Sequence, residues 1–161
     1  MLVHNAGVAY PGRVAESTPE QWRATFEVNV TGAVALTLAV LPALRAARGQ
    51  VVFINSGVHQ LRFGHHPLPG LASYSAGKFA LRAFAESLRA DEPLLRVTSI
   101  HPGRVDTGMQ RDLVAYEGGE YDPARFLSPE TVAAAVAKAV ATPPDAHTHE
   151  LIVRPRGPLS R

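Results

Sequence analysis

Four short runs of β-branched and apolar residues set the frame of this chain: Leu2 to His4, Val51 to Asn55, Val97 to His101 and Leu151 to Val153. None shows the strict polar alternation of a strand with one wet face, so each reads as a mostly buried strand. Longer segments with helical periodicity lie between them. Strands that alternate with helices imply an α/β unit, a parallel sheet of about four strands with crossover helices.

The first helix is announced by its start. Thr18 can serve as N-cap, Pro19 occupies the first helical position, and Gln21 completes a capping box. Trp22, Phe26, Val30, Val34, Leu38 and Leu41 then recur at helical spacing until Gly49 stops the run. A second helix is expected from about Ser73 to Ala90, ending before Pro93. A third begins at Ser128-Pro129-Glu130 and stops before Pro143-Pro144. The stretch from Gly108 to Leu127, with Gly118-Gly119 and Pro123, reads as a long mobile loop holding at most a short helical turn. Right-handed crossovers would put the first two helices on one face and leave the opposite face poorly covered.

Composition narrows the function classes. The 161 residues suit one domain, and an apolar share of 46% is enough for a core and too much for a disordered chain. The net charge is only +2 and the arginines are interleaved with acids, so no nucleic-acid-binding run is present. Cysteine is absent, which removes disulfide frameworks and thiolate metal sites. The N-terminal residues Met1 to Tyr10 do not form a signal peptide. The longest apolar stretch, Ala33 to Leu44, is too short to span a bilayer. A cytoplasmic setting without membrane attachment is expected.

The chemistry-bearing residues sit near strand ends. Tyr74 and Lys78 are four apart and would share a helix face. A neighbouring ammonium favours the phenolate and lowers the tyrosine pKa, which makes the pair a candidate general acid/base. Read singly, they also fit a core tyrosine beside a surface lysine. Ser56 falls at the C-terminal end of the second strand, where open parallel sheets bind ligands; alone it fits a turn serine beside Gly57. Asn29 and Gly32 are poor residues for a helix interior, and a local break there would free backbone groups to hold a water. Asn5-Ala6-Gly7 and His101-Pro102-Gly103 form tight turns after the first and third strands, with Thr107 four beyond Gly103.

Taken together and in this order, His4-Asn5-Ala6-Gly7, Asn29, Ser56, Tyr74/Lys78 and Pro102-Gly103/Thr107 resemble the short-chain dehydrogenase/reductase family. The resemblance covers essentially the whole chain. It implies a partial Rossmann-type, doubly wound sheet and an NAD- or NADP-dependent oxidoreductase acting on a carbonyl or alcohol substrate. It further implies that Tyr74 exchanges the proton, and that Lys78 lowers its pKa and binds the nicotinamide ribose. Ser56 would orient the substrate oxygen, and Asn29 would hold the water of a proton relay. Asn5, Ala6 and Gly7 would line the cofactor, with Pro102, Gly103 and Thr107 on the nicotinamide side. The segment from Met109 to Phe126 would close over the substrate. Family members commonly form dimers or tetramers through the helices carrying Asn29 and Tyr74, so a homo-oligomer is expected.

Three departures stand out. His4 replaces an asparagine of the family turn. The spacing from Ser56 to Tyr74 is long, with an insertion between His59 and Gly70 that contains Arg62, Phe63, His65 and His66. Adjacent histidines point apart and make a poor metal site, so no metal is expected. No G-x-x-x-G-x-G or G-x-G-x-x-G turn occurs anywhere. The chain therefore reads as a single domain over residues 1–161. It would be the C-terminal half of such a fold, with the strands and glycine-rich turn that seat the pyrophosphate absent. The competing reading is a catalytically inactive piece of such an enzyme, acting only as a binding or self-associating module through its open first strand. An epimerase or dehydratase of the extended branch fits less well, because little sequence follows Val153.

Overall fold

The computed structural model describes residues 1–57 and 69–156. The insertion expected between His59 and Gly70 therefore falls, up to residue 68, outside the described residues. Four parallel strands pair in chain order: β1 (Leu2–His4), β2 (Gln50–Ile54), β3 (Arg96–Pro102) and β4 (Glu150–Val153). Registers run Val3 to Val52, Val52 to Thr98 and Ile100 to Leu151. These are the four strands read from the sequence, within one residue at each end.

Alternation along β2 and β3 sorts their side chains onto two faces. Val51, Phe53 and Val97 meet the helices α2 (Gly32–Ala46) and α3 (Ala72–Asp91), where Leu81, Ala85 and Leu88 close the larger core. Val52 and Ile100 point the other way, onto Ala135 and Ala139 of α5 (Pro129–Val140). The expectation of a bare second face is thus overturned: α5 covers it. Because the strand order advances in one direction, a helix on the opposite face makes the β3–β4 crossover opposite in hand to the two before it.

The long first helix starts as expected. Thr18 Oγ1 accepts from the Gln21 amide at 3.3 Å, and the Gln21 side chain accepts from the Thr18 amide at 3.0 Å. After α1 (Pro19–Phe26) the backbone widens into a π-helical turn over Glu27–Thr31 before continuing as α2. The break foreseen at Asn29 is this π turn, a feature that recurs at functional sites.

Its buried stripe differs from the apolar one in the sequence. Thr25, Asn29, Ala33, Thr37 and Leu44 are buried, whereas Leu36 and Leu38 are 47% and 60% exposed. The cause is close approach. A side chain at Gly77 of α3 would lie 3.7 Å from Asn29 Cβ and from Thr25 Cγ2, so the helices meet on small and polar residues. Hydrogen bonds satisfy the polar groups: Thr25 Oγ1 meets Ser73 Oγ at 3.3 Å, and Thr37 Oγ1 meets His4 Nε2 at 2.8 Å. Counted through the π turn, the helix from Pro19 to Ala46 is long and apolar enough to cross a bilayer by length and composition, which the estimate from Ala33 to Leu44 did not foresee. Here its polar stripe packs against β1 and α3.

The segment expected to be a mobile loop is largely structured. Thr107 caps α4 (Gly108–Tyr116) by accepting from the Gln110 amide at 3.3 Å, and Leu113 and Val114 are buried beneath it. Asp106 N donates to Leu127 O at 2.8 Å and Leu127 N to Arg104 O at 3.0 Å, which pins both ends of the segment together. Gly70 adopts φ +78°, and the Tyr116 ring of α4 fills the space where a side chain would stand.

Phe53 is fully buried, stacked on His4 at 4.8 Å and edge-on to Phe84 at 5.7 Å. Phe53→Ala is expected to lower unfolding free energy by about 3–5 kcal/mol, read by urea titration. A loss under about 1 kcal/mol would show that this core does not hold the sheet to its helices.

Candidate active site

Parallel pairing brings all four strand C-termini to one edge of the sheet, and the residues singled out by the sequence gather there. A cavity of about 730 Å³ opens at that edge, within the usual range for a small-molecule site. Asn5, Gly7, Ser56, Tyr74 and Lys78 line it, as do Pro102, Gly103 and Thr107. Two expected residues do not. Ala6 is exposed outside the cavity, and Asn29 is buried beneath it.

Asn29 acts as a clasp. Its side-chain Oδ1 accepts from the Val8 amide at 2.8 Å, and its Nδ2 donates to Val8 O at 2.9 Å. Both bonds of the amide are spent on the loop that follows Gly7, which holds that loop against the π turn. A side chain at Gly7 would stand 3.5 Å from Asn29 Oδ1 and 3.8 Å from Lys78 Nζ. The turn after β1 therefore runs close over the two polar groups.

Tyr74 and Lys78 share the inner face of α3, one turn apart. Lys78 Nζ donates to Ile54 O at 2.7 Å and lies 5.7 Å from the centre of the Tyr74 ring. Lys78 is 4% exposed, and this burial pulls its pKa down to about 8. The Tyr74 phenol exchanges a hydrogen bond with Ser56, which favours the phenolate. Burial outweighs that bond and moves the phenol pKa above its ordinary value. The sequence led us to expect a phenol lowered by Lys78; here the ammonium is turned to a strand carbonyl and the phenol is raised.

The ends of β3 and β4 complete the wall. Gly103 N donates to Val153 O at 2.7 Å, and a side chain at Gly103 would stand 2.7 Å from Pro155 Cδ. Arg154 Nη1 donates to His101 O at 2.9 Å, with its guanidinium lying across Gly57. Three contributors escaped the sequence reading. Asn55 and Gln110 line the cavity, and both side-chain atoms of Asn55 and Nε2 of Gln110 are buried with no hydrogen-bond partner among the described residues. Asn55 could have been suspected from its place beside Ser56. Gln110 could not, because α4 was not expected. Arg154 gave no signal beyond following the last strand. Among the described residues no cluster of three metal-ligating side chains occurs.

Residues 1–118 match a family model described as short chain dehydrogenase. Among curated proteins, the chain is 36% identical over 124 residues to dehydrogenase/reductase SDR family member 7B of Bos taurus, covering 75% of this chain and 37% of that protein. It is 34% identical over 163 residues to glycine betaine reductase ATRR of Emericella nidulans, covering 97% of this chain and 12% of that protein. Among solved structures, the alcohol dehydrogenase of the archaeon Thermococcus sibiricus complexed with 5-hydroxy-NADP superposes with a TM-score of 0.81 at 26% identity, covering 99% of this chain and 65% of that one. The chain thus spans less than two thirds of each of these proteins.

Lys78 gives a pH-dependent test. Its charge is disfavoured in the fold, so the unfolded chain binds more protons between pH 8 and the ordinary lysine range. The resulting destabilisation, on the order of 3 kcal/mol, is complete below pH 8 and vanishes as pH rises past 10.5. Lys78→Met should therefore be more stable than the parent in urea at pH 7. It should lose that advantage by pH 10.5, where only the lost bond to Ile54 remains. A pH-independent difference would refute the buried charge.

Proposed function

The chain belongs to the short-chain dehydrogenase family, and on that premise we propose that it carries the catalytic part of an NAD(P)-dependent oxidoreductase with a carbonyl or alcohol substrate. The observation that carries this reading is the meeting of Ser56, Tyr74 and Lys78 in one cavity at the strand C-termini. The cavity suits a nicotinamide nucleoside. It has room for one, and the unsatisfied amides of Asn55 and Gln110 call for an incoming polar partner. The sequence contains no G-x-x-x-G-x-G or G-x-G-x-x-G pattern of the kind that seats a pyrophosphate.

A bound nicotinamide would supply the hydride to a carbonyl or accept it from an alcohol, while the protein supplies position and proton handling. Ser56 Oγ would orient the substrate oxygen toward the phenol. Tyr74 would give its proton to a carbonyl oxygen, or take one from an alcohol. The raised phenol pKa keeps the group protonated at neutral pH, the form needed to reduce a carbonyl. Lys78 would bind the ribose and, once its ammonium turns toward the phenol, favour the phenolate as the proton leaves. The widened backbone around Asn29 would hold the relay water, while Pro102, Gly103 and Thr107 line the nicotinamide side and Asn5, Ala6 and Gly7 its approach. A homo-oligomer fits the exposed apolar side chains Val28, Leu36 and Leu38, with Phe79 on α3.

Calorimetric titration of NADPH and NADH into the purified chain is the first test, with saturable binding of one of them expected. Tyr74→Phe should leave that binding intact and abolish cofactor oxidation followed at the nicotinamide absorbance, because only the proton donor is lost. Turnover that survives Tyr74→Phe would overturn the assignment. No heat from either nucleotide, with a discrete oligomer in sedimentation, would favour the inactive self-associating module.

A further inference from the structure

His101 is wholly buried on the α3 face of β3, and both of its ring nitrogens face acceptors. Nδ1 lies 3.4 Å from the main-chain oxygen of Ser56, and Nε2 lies 3.5 Å from Glu150 Oε1. A neutral imidazole has one proton for these two contacts. A second proton is opposed chiefly by burial, and also by the charges of Arg82, Arg154 and Lys78, which push its pKa down to about 4. The single proton must therefore choose a side. Glu150 already receives Arg82 at 3.1 Å and is partly exposed to solvent. The Ser56 carbonyl is the shorter and more enclosed contact.

The position of Ser56 in the sheet gives this contact its weight. Strand pairing between β2 and β3 ends at Ile54 opposite Ile100, and Asn55 N to Ile100 O at 2.8 Å is the last backbone bond between them. Ser56 lies one residue beyond. The His101 ring carries the β2–β3 connection one step further, through a side chain in place of a ladder bond. Its own main-chain oxygen is fixed in turn by Arg154 Nη1 at 2.9 Å.

We propose that His101 is a positioning residue: its Nδ1–H holds the Ser56 carbonyl and so sets the serine hydroxyl against the Tyr74 phenol. This rests on the roles proposed for Ser56 and Tyr74. The test reads hydrogen bonding and not turnover, so it stands or falls separately from the oxidoreductase reading. In the parent chain at neutral pH, ¹⁵N NMR of the histidines should find His101 protonated at Nδ1 and bare at Nε2. The reverse tautomer overturns the proposal, and this arm needs no variant to fold. In His101→Leu, which keeps bulk and removes the donor, the Tyr74 titration followed at its ring ¹³Cζ should move upward, since the bond favouring phenolate is lost. His101→Asn, whose amide nitrogen can stand where Nδ1 was, should restore the parent midpoint. A folded His101→Leu with an unmoved Tyr74 midpoint would also overturn the proposal.

Discussion

Parallel pairing is the constraint on which everything else in this structure depends. When four strands run the same way, their carboxyl ends must all arrive at one edge, and each must hand the chain to a loop there. Asn5 and Gly7, Ser56, Pro102 to Val105 with Thr107, and Arg154 reach the same place from four separate parts of the sequence for that reason. The sheet does no chemistry, but it removes most of the entropy of bringing these groups together.

What the sheet begins, buried polar contacts finish. Asn29 spends both amide bonds on the Val8 main chain, and Lys78 spends a sealed ammonium on Ile54 O. Each is costly in isolation, because a polar group taken out of water must find a partner of equal quality. Lys78 shows the residue of that cost in its lowered pKa. Packing between the first long helix and α3 follows the same logic. Thr25 and Asn29 are buried there in place of leucines, within van der Waals reach of a side chain at Gly77, while Thr37 is buried against His4 of β1.

The strands were readable because buried parallel strands leave runs of β-branched residues that few other structures need. The caps Thr18 and Ser128 were readable because N-terminal amides accept only a few solutions. The site was readable as an ordered set, although each member alone fits a turn or a core position. Other features were hidden for identifiable reasons. Leu38 belongs to the apolar period that runs through Trp22, Phe26, Val30 and Val34, yet points outward, because periodicity cannot tell a face packed within the chain from one left for something else. Gly118-Gly119 and Pro123 drew attention away from α4, whose stability comes from the Thr107 cap and from Leu113 and Val114 inserted below. The direction of the Tyr74 shift was invisible because it depends on the depth of burial and on which oxygen Lys78 chooses.

The seat of Tyr116 at Gly70 links two parts of the molecule that share no chemistry. The aromatic ring of α4 rests where a side chain would be, at a residue whose positive φ already favours glycine. The helix that roofs the cavity thus takes its height from a vacancy at the doorstep of α3. A side chain at position 70 would press on the Tyr116 ring, and through it on the helix that carries Met109, Gln110 and Leu113 into the cavity. Position 70 thus bears on the shape of the cavity without lining it, and a comparison restricted to the cavity lining would overlook it.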